Sequence, residues 1–177
     1  RYFSAGNTVK TVSLCDGDKD LCLGLTICED LWNDHQFEGR RVYGIDPIGL
    51  TVQAGARVLV NISASPFRVG KNPERESIFA QQVRALGTPL LYVNQVGGND
   101  DLIFDGASMV LDGRGTVIAR AKAFAEDLLV VDLAQLLVGQ AVRRRNLNAL
   151  FGASRSILRR DRNDAVRADV EADVDLD

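Results

Sequence analysis

The feature that most constrains the fold is a strand-helix-strand pattern at residues 57–94. Residues 57–61, Arg-Val-Leu-Val-Asn, form a short apolar run that is typical of a buried strand. A helix follows, predicted with Asn72 as its N-cap and Pro73 as its first residue, and a second apolar run at 89–94 predicts the next strand. Because two strands joined by a helix normally lie parallel, this pattern predicts the parallel centre of a sheet.

Shorter predicted elements flank this unit on both sides. They are a strand at 8–14, a turn at 16–18, a strand at 21–28, a helix starting near Pro47 and ending at Gly55, a turn at 97–101, strands at 107–111 and 116–119 around a turn at 112–115, and a strand at 128–133. The chain is therefore predicted to be α/β, with a mixed sheet covered by helices on one face.

The chemistry is expected at residues 21–32, where an apolar run, LCLGLTI, stops at a cysteine followed by two acids. In a strand, side chains alternate between faces, so Cys22, Gly24, Thr26 and Cys28 share one face and bulky aliphatic residues share the other. The bulky face is expected to pack against helices. The face of small residues is expected to leave room for another group beside Cys28.

Composition excludes several classes of function. The net charge is −3 and the pI is about 5.2, without the basic excess of a protein that binds nucleic acid through phosphates. No apolar run approaches the roughly 20 residues that span a bilayer, and residues 1–10 lack a signal-peptide pattern. We therefore expect no nucleic-acid partner, no membrane partner and a cytoplasmic location.

The cysteines and the single histidine argue against disulfides and metal sites. Cys22 and Cys28 in one strand would lie about 20 Å apart at roughly 3.3 Å per residue, too far for a disulfide. With Cys15 they do not form the C-x-x-C spacing of zinc sites, and His35 lies in a polar loop that favours a solvated role. No metal site is predicted.

Cys28 by itself is ambiguous, because most cysteines are inert core residues. The acids that follow it and the predicted turn favour a nucleophile at this position. Cys15 and Cys22 lie inside apolar runs, which favours a core role for both.

Four motifs together resemble one family. They are ICEDLW at 27–32, NISASPF at 61–67, GKxxxRE at 70–76 and YVNQVGGNDDLIFDGAS at 92–108. They resemble the glutaminase domain of the glutamine-dependent NAD synthetases, which belongs to the nitrilase, or carbon-nitrogen hydrolase, superfamily. The resemblance covers about residues 1–133. The first motif points only to the superfamily, whereas the last is more specific to the synthetases.

The resemblance implies an αββα sandwich, here incomplete, and a catalytic set of glutamate, lysine and cysteine. It implies that Cys28 is the nucleophile that attacks the side-chain amide of glutamine, giving a thioester and ammonia. It assigns the backbone N–H of Glu29 to the oxyanion hole. It also implies that Ser65, Lys71 and Glu29 hold the glutamine substrate.

The resemblance places the general-base glutamate and the catalytic lysine upstream of residues 1–3. The synthetase Ser-Gly-Gly-x-Asp-Ser loop does not occur in the sequence. Residues 1–141 are accordingly predicted to be a partial carbon-nitrogen hydrolase domain, and 142–177 a charged segment, first helical and then disordered. The isolated chain is expected to be inactive, without a cofactor of its own. ATP and Mg²⁺ are expected in the synthetase domain, and a homo-oligomer is expected.

Two other functions remain open on the residues alone. The chain could belong to a stand-alone amidase of the nitrilase superfamily, an interpretation that the motif at 92–108 disfavours. It could also be a non-catalytic assembly module, in which case Cys28 would have ordinary thiol reactivity.

Overall fold

The structure, a computed structural model, describes residue 6 and residues 8–16, 19–32 and 44–137. The strands are β1 (Lys10–Asp16), β2 (Lys19–Ile27), β3 (Val58–Ser63), β4 (Leu90–Asn94), β5 (Val96–Asn99), β6 (Leu102–Asp105), β7 (Met109–Leu111) and β8 (Val117–Arg120). The helices are a 3₁₀ helix (Cys28–Trp32), α1 (Pro47–Gln53), α2 (Lys71–Leu86) and α3 (Leu133–Leu136). None of these helices is both long and apolar enough to cross a membrane. The predicted charged segment at 142–177 lies outside the described residues.

The main sheet has the strand order β1-β2-β3-β4-β7-β8. Strands β2, β3 and β4 are parallel, whereas β1 on one side and β7 and β8 on the other run antiparallel to their neighbours. The predicted parallel centre and the mixed sheet are therefore confirmed. The β1–β2 hairpin is also confirmed, although positions 17 and 18 of its turn lie outside the described residues.

The two main helices begin for different reasons. Helix α1 starts at Pro47 as predicted, and the carboxylate of Asp46 caps it by accepting from the N–H of Gly49 at 3.0 Å. The predicted N-cap of α2 is wrong, because α2 begins at Lys71 and Asn72 lies inside its first turn. Gly70 is the N-cap, with φ of 82°, a conformation that glycine adopts without steric cost.

Both helices pack on the same face of the sheet, as predicted. Helix α1 contributes Ile48 to the core, α2 contributes Phe79, and the sheet contributes Tyr92. The rings of Phe79 and Tyr92 lie 4.7 Å apart, and those of Phe79 and Trp32 lie 5.7 Å apart. This core joins the 3₁₀ helix after β2 to the long helix α2.

The roles expected for the two faces of β2 are reversed in the structure. The small face packs against α1: a Cβ at Gly24 would lie 2.2 Å from Cγ2 of Thr51 and 2.8 Å from Cβ of Ala56. The bulky face lies on the other side of the sheet, where Leu25 is 38% and Ile27 is 69% exposed. The prediction was wrong because a helix needs small residues beneath it in order to approach this closely.

Gly24→Ala is expected to lower the free energy of unfolding by about 1–3 kcal/mol, because the added methyl group would overlap Thr51 and Ala56. Urea denaturation measures the change. Gly44→Ala is the matched control, since a Cβ there meets nothing within 4 Å, and its effect should stay within about 0.5 kcal/mol. Equal losses in the two variants would contradict the close helix approach.

The segment predicted as a turn at 97–101 is largely a strand. Gly97 and Gly98 lie in β5, which pairs with β6 in a separate two-stranded ribbon. The chain reverses at Asp100 and Asp101, and Asp100 adopts a φ of 50°. Pairing along the backbone needs no side chain, so the exposed glycines of β5 do not prevent it.

The strand predicted at 128–133 is absent from the structure. This segment is extended without strand pairing, and α3 begins at its end. Leu129 and Val131 pack against the sheet around Val58 and Val110, whereas Leu128 and Val130 are 84% and 89% exposed. The apolar run predicted as a strand is therefore a segment that lies on the sheet and packs every second side chain against it.

Candidate active site

The candidate site lies where the three parallel strands end. Ile27 pairs with Ile62, and Ser63 pairs with Asn94, so the carboxyl ends of β2, β3 and β4 meet at one edge of the sheet. Cys28 follows β2 directly, and the loop containing Ser65 follows β3. Crevices outside the carboxyl ends of parallel strands are frequent ligand sites in α/β folds.

Cys28 begins the 3₁₀ helix and has a φ of 45°. A left-handed backbone is unfavourable for a residue with a side chain, by roughly 1–2 kcal/mol, and persists where the surroundings impose it. The strand ends immediately before Cys28 and a helical turn follows, which confirms the predicted change of direction. The thiol is half-buried and forms no disulfide.

Three polar side chains hold this helical turn in place. The Asp30 carboxylate accepts from the N–H of Ile27 at 2.7 Å, and Asn61 Nδ2 donates to the carbonyl of Cys28 at 3.5 Å. Gln82 of α2 donates to the carbonyl of Leu31 at 2.6 Å. These supports fix the left-handed conformation at Cys28 from β3, from α2 and from the turn itself.

The sequence did not assign a role to any of these three supports. Asp30 could have been found, because an aspartate two residues after a strand-ending cysteine can cap the turn. Asn61 offered a weaker signal as a polar residue at the end of an apolar strand. Gln82 offered none, since a glutamine within a helix is usually exposed.

Glu29 directly follows Cys28, and its side chain is exposed. Its backbone N–H is therefore one residue from the thiol, in a turn held by Asp30. This placement suits an oxyanion donor. Both roles expected of Glu29, oxyanion donor and substrate contact, stay predictions.

Ser65 is buried and is held at both of its backbone groups. Its N–H donates to Oδ1 of Asn94 at 2.9 Å. Its carbonyl accepts from Nη2 of Arg75 at 2.8 Å and from Nδ2 of Asn94 at 3.4 Å. Close by, burial raises the pKa of Tyr92, whose side chain lies in the core beneath the loop.

Arg75 and Asp105 form a fully buried ion pair behind Ser65. Nη1 of Arg75 lies 2.9 Å and 3.0 Å from the two oxygens of the Asp105 carboxylate, and both side chains have 0% exposure. Nη1 also donates to Oδ1 of Asn72 at 2.7 Å. The sequence motif at 70–76 contains this arginine, but its spacing did not indicate a partner 30 residues away.

Lys71 lies close to the 3₁₀ helix that begins at Cys28. Its Nζ is 5.6 Å from the ring centre of Trp32, the last residue of the 3₁₀ helix. Partial burial lowers the pKa of Lys71, and the nearby Arg75 and Arg68 cations lower it further. The site thus presents a crowded cation, which an anionic group would stabilise.

The described residues at 8–16, 19–32 and 44–137 contain no group of three or more side chains able to hold a metal ion. His35 lies outside these ranges. The prediction that the site has no metal therefore stays a prediction.

The sequence profile of the carbon-nitrogen hydrolases matches residues 1–143. The chain belongs to this family. Among curated relatives, this carbon-nitrogen hydrolase is 46% identical to the glutamine-dependent NAD(+) synthetase of Synechocystis sp. over 113 residues, 64% of the chain and 20% of the relative. It is 41% identical to the enzyme of the same name from Xanthomonas campestris over 138 residues, 76% of the chain and 22% of the relative.

Solved structures agree with the α/β nitrilase-superfamily fold. Glutamine-dependent NAD+ synthetase from Acinetobacter baumannii, in complex with ADP, has a TM-score of 0.58 and 31% identity, covering 71% of this chain and 21% of that chain. A carbon-nitrogen hydrolase from Helicobacter pylori has a TM-score of 0.63 at 23% identity, covering 90% and 56%, which shows the fold alone. The chain spans about a fifth of the length of the curated relatives it matches.

Proposed function

We propose that this carbon-nitrogen hydrolase contains the central and C-terminal part of a glutaminase domain that supplies ammonia to an NAD synthetase. The observation that carries the proposal is the left-handed Cys28, held at the carboxyl edge of the sheet by Asp30 and Asn61. The similarity to glutamine-dependent NAD(+) synthetases supports glutamine as the amide. The overall reaction is then the ATP-dependent amidation of deamido-NAD to NAD.

Cys28 would act as the nucleophile. Its sulfur forms a bond to the side-chain carbonyl carbon of glutamine, giving a tetrahedral intermediate whose oxygen accepts from the N–H of Glu29. The C–N bond then breaks, and the nitrogen takes a proton and leaves as ammonia. Water adds to the thioester, which releases glutamate and restores the thiol.

Lys71, Ser65 and Glu29 would hold the glutamine. Partial burial lowers the pKa of Lys71, and the neighbouring Arg75 and Arg68 cations lower it further. A free amino acid carries a carboxylate, and a carboxylate placed near Lys71 would relieve this repulsion. Ser65 lies in a loop whose backbone is hydrogen-bonded to Asn94, so its position is fixed before substrate binds.

Other groups of the reaction would come from outside these 177 residues. The resemblance assigns the general-base glutamate and the catalytic lysine to preceding sequence. It assigns ATP and Mg²⁺ to the synthetase domain. We propose that residues 1–177 alone are inactive, because a thiol without its base and its lysine lacks most of the transition-state stabilisation. A homo-oligomer and a cytoplasmic location stay predictions.

The test compares the complete gene product with residues 1–177. The complete product should release glutamate from glutamine and form NAD from deamido-NAD when ATP is present, whereas residues 1–177 should release no glutamate. Hydrolysis of small amides without any coupling to ATP would favour a stand-alone amidase instead. Absence of glutamine turnover, together with ordinary alkylation kinetics at Cys28, would favour an assembly module. Turnover by residues 1–177 that Cys28→Ser abolishes would contradict the proposed inactivity.

A further inference from the structure

The Ser65 loop, residues 64–70 between β3 and α2, is supported by a buried guanidinium that also binds β6 and α2. Arg75, on α2, donates to the carbonyls of Ser65 at 2.8 Å and Pro66 at 3.3 Å through Nη2. Through Nη1 it donates to Asp105, at the end of β6, and to Asn72 in its own helix. The loop, the ribbon and the helix therefore meet at this side chain.

Stability alone gives a weak reason for such an arrangement. A buried ion pair loses the hydration of both charges, and well-packed apolar residues often serve as well or better. Two other ion pairs of the same region, Arg68–Glu74 and Arg120–Glu76, are at least partly exposed. Neither of these pairs connects the end of a strand to the Ser65 loop. What distinguishes Arg75 is its two contacts with the backbone of the loop.

We propose that Arg75 is a positioning residue that fixes the Ser65 loop in the conformation that binds glutamine. The inference rests on the proposed function. Nη2 holds the carbonyls of the loop, and Nη1, held by Asp105, fixes the plane of the guanidinium. Asn94 also supports the loop, because its Oδ1 accepts from the N–H of Ser65 at 2.9 Å and its Nδ2 donates to the Ser65 carbonyl at 3.4 Å.

The geometry needs an arginine. Its planar group presents separate donors, so one nitrogen can bind Asp105 while the other binds Ser65. A lysine has a single nitrogen and could keep the charge pair with Asp105 without reaching both carbonyls of the loop. Arg75→Lys is therefore expected to keep the ion pair with Asp105 while removing the hydrogen bonds that support the loop.

The experiment is a double-mutant cycle in the complete gene product, with Arg75→Lys, Ser65→Ala and both together. Steady-state kinetics are measured with glutamine, and again with ammonium salt as the nitrogen source. Arg84→Lys is the matched control, because Arg84 is an exposed arginine of the same helix. The ammonium reaction reports whether the synthetase step is intact, and kcat with glutamine reports whether the domain that contains Cys28 is folded.

Arg75→Lys is expected to raise KM for glutamine about tenfold with kcat changed by no more than about twofold, the size of effect expected for losing hydrogen bonds to one loop. In the Ser65→Ala background the same change should raise KM by less than about threefold, because the positioned hydroxyl is already gone. Ammonium-dependent activity and Arg84→Lys should match the unmutated protein.

Unchanged KM in Arg75→Lys, or the same fold-change with and without Ser65→Ala, would overturn the positioning role. If Arg75→Lys also loses ammonium-dependent activity, the variant Arg75→Gln with Asp105→Asn removes both buried charges together, and it must show the same rise in KM. Failure of the proposed function would appear in the unmutated protein, as absence of glutamine turnover or as turnover that survives Cys28→Ser. Either result would overturn the positioning role as well.

Discussion

Cys28→Ser is expected to lower glutamine-dependent activity of the complete gene product on the order of 10³-fold or more, because a hydroxyl is a much weaker nucleophile than a thiolate. The substitution replaces a single atom at a backbone that is already fixed by Asp30 and Asn61. Folding should therefore be preserved. Glutamate release measures the loss, and activity with ammonium salt should stay near that of the unmutated protein.

Cys22→Ser is the matched control for this result. Cys22 is also free and half-buried, and it lies in β2, the strand that ends directly before Cys28. Its glutamine-dependent activity should stay within about twofold of the unmutated value, since no step of the reaction uses it. Equal losses in both variants, or substantial glutamine turnover in Cys28→Ser, would contradict the assignment of the nucleophile.

The parts of the fold that the sequence predicted are those encoded by neighbouring residues. The start of α1 follows from Asp46 and Pro47, which form a cap and a first helical residue in sequence. The turn after β2 follows from the acids after Cys28, one of which caps it. Parallel pairing of β3 and β4 follows from the length of chain between them.

The parts that the sequence did not predict depend on contacts between distant residues. Gly24 shows this for the fold: its place under α1 depends on Thr51, which no local pattern reveals. Arg75 shows it for the site, since its partner Asp105 is 30 residues away and lies at the end of β6, a strand that was not predicted. Glycines at 97 and 98 gave the signal of a turn, because strand pairing through the backbone leaves no pattern in side chains.

The predicted start of α2 was wrong because two neighbouring residues could each serve as the N-cap. Asn72 and Pro73 match the usual N-cap and first position, yet the helix begins at Lys71. Gly70 adopts a left-handed backbone, which lets the chain enter the helix earlier. Asn72 then turns its side-chain oxygen to Arg75, so a residue that looked like a cap supports the buried cation.

Asp105→Ala is expected to lower the free energy of unfolding by about 3–5 kcal/mol, because it leaves the guanidinium of Arg75 buried without a counter-charge. Asn72, Ser65 and Pro66 still accept from Arg75, but neutral oxygens do not replace a carboxylate. Urea denaturation of the complete gene product measures the change.

Glu76→Ala provides the control for Asp105→Ala, because it also removes a carboxylate partner of an arginine. Glu76 and Arg120 are 45% and 37% exposed, so water and salt screen their attraction and the loss should stay below about 1 kcal/mol. Asp105→Asn should fall between the two, since it keeps the shape and one acceptor while removing the charge. If Asp105→Ala were no more destabilising than Glu76→Ala, the guanidinium of Arg75 would have to be hydrated rather than buried. That result would contradict both the buried ion pair and the support that Arg75 gives to the Ser65 loop.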